Sequence, residues 1–111
     1  MSVELYAGAT EYVFWPVSEM RESLTSEHSV GVYFDTEPNA SPEVNEFETA
    51  ILVLPSDDLG DGQNTYIAVR IGPEGETTLP TGDHQAWQLI DTDPTTGGEQ
   101  IIRKEGLVVV L

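Results

Sequence analysis

The chain has 111 residues and sets four Lys and Arg against twenty Asp and Glu, for a net charge of −16. That surface repels phosphate and anionic lipid, which excludes nucleic-acid binding and membrane-surface binding as expected roles. It also contains no cysteine, so a disulfide framework, a thiolate zinc site and a cysteine nucleophile are all excluded.

Taken in chain order, alternating apolar and β-branched residues between turn residues predict a series of short strands. The first runs from Val3 to Tyr6 and ends at Gly8. Thr10 to Val17 follows, with Tyr12, Phe14 and Trp15, and Pro16 marks its end as an edge or bulge. Ser18 to Ser26 and Ser41 to Ala50 are the only helix candidates; neither completes a capping box, and both are read as short turns. Ser29 to Phe34 alternates Val30, Val32 and Phe34 against Ser29, Gly31 and Tyr33. Asn64 to Ile71 is the clearest strand, with Ile67, Val69 and Ile71 directed inward. His84 to Asp91 puts Trp87 and Leu89 on one face, and Gln100 to Lys104 and Leu107 to Leu111 close the chain around a kink or bulge at Gly106.

Turn residues fill the gaps at Asp35 to Pro42, Pro55 to Gly62, Gly72 to Gly75, Thr81 to Asp83 and Asp91 to Gly98. About seven short strands at this spacing predict an all-β sandwich, one domain over residues 1–111. Trp87 is the expected central core residue, and Trp15, beside Pro16, the expected half-exposed one. The terminal run Leu107 to Leu111 has no charged side chain, so it is expected either deep in a sheet or covered by a neighbouring subunit.

Candidate chemistry is sparse. Asp57, Asp58 and Asp61, followed by Gly62, are the only metal candidates, and they match a calcium loop poorly. Leu59 stands where the loop needs Asp or Asn, and Ala68 where it needs a bidentate Glu. The favoured reading is a solvated acidic turn. His28 and His84 are the two imidazoles, and no Gly-x-Ser-x-Gly elbow places a serine beside either. Without a phosphate-binding glycine loop, nucleotide binding has no support. No catalytic residue and no cofactor is therefore assigned, and the chain is read as non-enzymatic. Tyr12, Phe14, Trp15, Tyr66 and Trp87 suit either a core or a sugar-binding face, with the core favoured. No stretch reaches the ~20 apolar residues of a membrane helix, and the start, Met1 to Leu5, lacks the basic and apolar regions of a signal peptide. Acids dispersed along the whole chain, with Lys104 as its one lysine, point to a salt-saturated cytoplasm in which ionic strength screens self-repulsion.

The C-terminal half carries a resemblance. Val69-Arg70-Ile71-Gly72-Pro73-Glu74-Gly75 leads into the strand around Trp87, then Asp91-Thr92-Asp93, then Glu99 through Val110 with Lys104, Gly106 and Leu107. These segments resemble the small immunoglobulin-like virion proteins of tailed viruses, and Phe14-Trp15-Pro16-Val17-Ser18 resembles their first core strand more loosely. The turn from Asp91 to Gly98 is longer than theirs. The resemblance implies an immunoglobulin-like β-sandwich and a non-enzymatic structural role in the virion, with capsid decoration ahead of a neck or tail position. It implies partners among capsid or neck and tail proteins, many copies on a symmetric assembly or a homo-oligomer, and localisation in the virion after assembly in the host cytoplasm. With the acidity, it points to a tailed virus of halophilic archaea. The alternative is a cellular carbohydrate- or protein-binding sandwich module.

Overall fold

A computed structural model describes residues 2–17, 28–37, 39–91 and 100–111. The helix candidate from Ser18 to Ser26 and most of the turn from Asp91 to Gly98 fall outside the described residues. Among the described residues, eight strands form two sheets: β1 (Ser2–Leu5), β2 (Glu11–Pro16), β3 (Ser29–Asp35), β4 (Glu48–Thr49), β5 (Ile51–Val53), β6 (Tyr66–Ile71), β7 (Gly82–Asp91) and β8 (Gln100–Val110). One sheet has the order β1-β8-β7-β3-β4 and the other β2-β6-β5. β1 runs parallel to β8, and every other strand pair is antiparallel. The all-β sandwich expected from the strand spacing is the architecture observed.

Two strands escaped the sequence pattern. The segment from Ser41 to Ala50, read as a short turn, holds a single 3-10 turn at Val44–Glu46 and then β4, which at two residues is too short to show alternation. β5 adds three residues beside β6. The two C-terminal segments merge into one eleven-residue strand, β8. Its register against β7 steps from the Gln85–Leu107 pair to the Trp87–Lys104 pair, so Glu105 and Gly106 together face Ala86. That two-against-one count is a β-bulge, located where Gly106 predicted it.

The core lies between the sheets. Val13 and Trp15 of β2 and Ile67, Val69 and Ile71 of β6 meet Val30, Val32, Ala86, Ile90 and Val108 of the larger sheet. The tryptophan assignment is corrected here: Trp15 is 6 % exposed and belongs to the core, whereas Trp87 is only half-buried on the outer face of β7. The cause is strand parity. The inward face of β7 is His84, Ala86, Gln88 and Ile90, all buried, which forces Trp87 and Leu89 outward. Two polar side chains disguised the buried face, and small Ala86 pairs with Phe34, whose ring packs 6.1 Å from Trp15.

β8 pairs on both sides, with β1 and with β7. Its uncharged end is thus interior to the sheet, with Val108 and Val110 buried, which removes the aggregation hazard of a bare apolar edge. At the end of β6, Gly72 has φ +138°, and a Cβ there would stand 2.3 Å from the Ala9 carbonyl oxygen. Only glycine lets the β1–β2 connection pass this close.

Candidate functional site

The three acidic candidates lie in the loop between β5 and β6, and their carboxylates are largely engaged by that loop. Asp57 Oδ2 accepts the Leu54 N–H at 2.7 Å. Asp61 Oδ1 accepts the Gln63 and Asn64 N–H groups, each at 2.9 Å, and its Oδ2 accepts the Tyr66 hydroxyl at 2.7 Å. These donors, the Asn64 N–H foremost, hold the Asp61 carboxyl far below the usual carboxylate range. Asp58 is exposed. Among the described residues no group of three or more His, Asp or Glu is placed to hold a metal ion. The arrangement is an Asx-type turn that satisfies its own backbone.

The histidines are held apart. His84, buried on the inner face of β7, places Nε2 2.7 Å from the Pro80 carbonyl oxygen. His28 precedes Ser29, which pairs with Asp91, while His84 lies beyond the Asp35–Gln85 pair at the other end of the same ladder. At ~3.3 Å per strand residue the two are roughly 26 Å apart along the sheet, so they share no site.

Among the described residues, cavities open at the surface in at least two places. One of about 170 Å³ lies beside the exposed Tyr6, between Leu5, Ile71, Leu79, Pro80 and Val110. Another of about 190 Å³ is bordered by Tyr33, Glu46, Glu48 and Thr77, and there the Thr77 hydroxyl donates to Glu48 Oε2 at 2.5 Å.

A cluster of aromatic side chains lies on the outer face of the three-stranded sheet. Alternation that buries Val13 and Trp15 turns Tyr12 and Phe14 outward, where they are 40 % and 38 % exposed. Their ring centroids are 5.9 Å apart, and the Tyr66 ring stands 6.0 Å from Phe14 across the strand pair. The planes tilt by 33° between Tyr12 and Phe14 and by 80° between Phe14 and Tyr66, so the rings form a ridge and not a flat platform. Glu11, Asp61, Glu74 and Glu76 are exposed acids on or beside this sheet.

A second, weaker apolar area covers the outer face of the larger sheet, where Trp87 lies between Tyr33 and Lys104 in register and the Lys104 ammonium sits 5.8 Å from the indole centroid. Sequence reading placed Tyr12, Phe14 and Tyr66 in the core by preference. The signal that locates them is parity: two aromatics alternate with Val13 and Trp15 on a strand that has one buried face. Comparison with family models, with curated proteins and with solved structures gave no match.

Proposed function

We propose that this chain is a non-enzymatic structural protein of a tailed-virus particle, carried on the capsid as a decoration in many copies. The observation that carries the reading is the ridge formed by exposed Tyr12 and Phe14 with half-buried Tyr66, on a sheet with an open edge among the described residues, a surface suited to being covered by another protein. The resemblance of the segments from Val69 to Val110 supplies the class of assembly. The strand order supports the immunoglobulin-like part of the reading: β2-β6-β5 and β3-β7-β8 follow the neighbour relations B-E-D and C-F-G of immunoglobulin domains. The charge of −16 supports assembly in strong salt. A neck or tail position rests on the same features and differs only in which particle protein is the partner.

A cellular carbohydrate- or protein-binding module is the second reading, and the exposed rings favour it too. For sugars the tilt argues against it, because stacking on an extended glycan needs rings close to one plane, and Phe14 and Tyr66 stand at 80°.

Co-sedimentation tests the choice. Purified chain is mixed in molar salt with tailed particles from the source culture, and separately with insoluble polysaccharides. The proposal expects saturable binding to the particles that is lost in a Tyr12→Ala, Phe14→Ala variant. Binding to polysaccharide, with none to particles, contradicts it.

A further inference from the structure

We infer that β2 is a self-association edge: two copies of this chain pair antiparallel through their β2 strands and join the two three-stranded sheets into one of six strands. The inference deepens the multicopy reading above by naming the contact between copies. It is tested on the free chain, so its failure would leave particle binding untouched.

Backbone direction is the first support. One residue beyond the Pro16–Tyr66 pair, the Val17 N–H donates to the Thr65 carbonyl at 2.9 Å. Antiparallel alternation then turns the N–H and C=O groups of Trp15, Val13 and Glu11 toward β6, and those of Tyr12 and Phe14 away from it. The partner strand agrees: Arg70, opposite Tyr12, has its N–H donating to Glu76 Oε2 and its carbonyl accepting from Thr77, both away from β2. Among the described residues no strand pairs with the other edge of β2, so Tyr12 and Phe14 present two donors and two acceptors in a row.

Register follows from these groups. With Val13 opposite Val13 of the second copy, Tyr12 faces Phe14 of that copy and each exchanges both backbone bonds with the other. Pro16, which has no N–H, then falls outside the pairs formed by Glu11 to Trp15. A shift that sets Phe14 opposite Phe14 brings Pro16 against Tyr12 and strands the Tyr12 carbonyl. A shift that sets Tyr12 opposite Tyr12 shortens the ladder. A one-residue slip would place the exposed rings against the core face.

Side chains and charge fit the same register. Tyr12 and Phe14 of the two copies become direct cross-strand neighbours, so each ridge continues into the other across the two-fold axis. Glu11 is the only charged side chain of β2. It lies opposite Trp15 of the second copy and not opposite its own counterpart. The remaining repulsion between two chains of −16 is long-range and falls away when the Debye length shrinks to about 3 Å in molar salt. Self-pairing is therefore salt-dependent.

Sedimentation equilibrium of the full chain, in dilute buffer and in molar potassium chloride, is the direct test. The expected result is a monomer in dilute buffer, a dimer in molar salt, and loss of that dimer in Phe14→Glu with an unchanged circular-dichroism spectrum. Because the chain has no cysteine, register is read independently by oxidative crosslinking in molar salt. A mixture of Tyr12→Cys and Phe14→Cys chains should form a covalent heterodimer, while neither variant crosslinks alone. A monomer at both salt concentrations overturns the inference, as does Phe14→Cys crosslinking to itself as readily as the mixture does.

Discussion

The side-chain amide of Gln85 donates to the main-chain carbonyl of Glu105 and so closes the bulge at which β8 carries one residue more than β7. The same nitrogen lies 3.1 Å from the Ala86 carbonyl oxygen and 3.4 Å from that of Gly106. A bulge leaves main-chain groups without ladder partners, and here one buried amide reaches three of the carbonyls concerned. Burial pushes the Glu105 carboxyl above its ordinary range, with Arg103 opposing the shift.

Gln85→Leu keeps most of the side-chain volume and removes the donor. Leaving buried carbonyls unpaired should cost about 1–3 kcal/mol. The measurement is the urea midpoint of unfolding, which should fall with an unchanged slope. A midpoint equal to that of the unaltered chain would show that the bulge carries itself.

The two tryptophans should separate cleanly. Trp15→Ala opens a cavity in the core and should cost about 3–5 kcal/mol. Trp87 has a buried Nε1 with no hydrogen-bond partner among the described residues, so Trp87→Phe removes an unsatisfied donor and should be neutral or mildly stabilising. Thermal melts of both variants check the pair, and comparable losses would contradict the parity assignment.

Much of the fold was legible because parity and turn residues fix strands locally. β6 shows it well: Ile67, Val69 and Ile71 alternate with Tyr66 and Arg70, and Gly72 ends the run. The bulge at Gly106 was legible for the same reason. Parity does not say which face meets the other sheet when both faces are mixed. On β7 the buried face carries His84 and Gln88 and the outer face carries Trp87, so hydrophobicity pointed the wrong way. Gln88 is 1 % exposed with neither side-chain polar atom bonded among the described residues, a residue that local pattern would never place inside. β4 and β5 exist through pairing with β3 and β6, long-range contacts with no local signature. The aromatic ridge was present as a composition, but its exposure depends on which face of β2 meets the other sheet, which is a property of the packed fold.

The Asp61 turn has a pH signature. Its carboxyl is held below its ordinary value by the Asn64 N–H, the Tyr66 hydroxyl and the Gln63 N–H, in that order. A depressed folded-state pKa contributes stability that is present above the unfolded value and is lost as pH falls through the folded one. Asp61→Asn should therefore lower the melting temperature at neutral pH, and the gap to the unaltered chain should close on strong acidification. A gap independent of pH would show that the loss does not come from the charge of the Asp61 carboxylate. Calcium should add nothing specific at this loop: calorimetric titration should give only weak heats that molar salt abolishes.

Salt should raise the stability of the whole domain. Folding draws a net charge of −16 into a body with a radius of gyration of 13.8 Å. At a Debye length of about 30 Å in 0.01 M salt most of those charges repel one another, and at about 3 Å in 1 M salt few do. Melting temperature should climb across a potassium chloride series at fixed pH. A flat series would refute the halophilic reading and leave the sandwich intact.

The proposal that this chain is a multicopy component of a virus particle is tested most directly by its presence in particles. Tailed particles are purified from the source culture by density gradient in strong salt, and the chain is quantified by mass spectrometry against the major shell protein. The account predicts a fixed ratio, reproducible between preparations, high enough to place many copies on each head. Absence of the chain from the particles, with recovery only from uninfected cells, would contradict it.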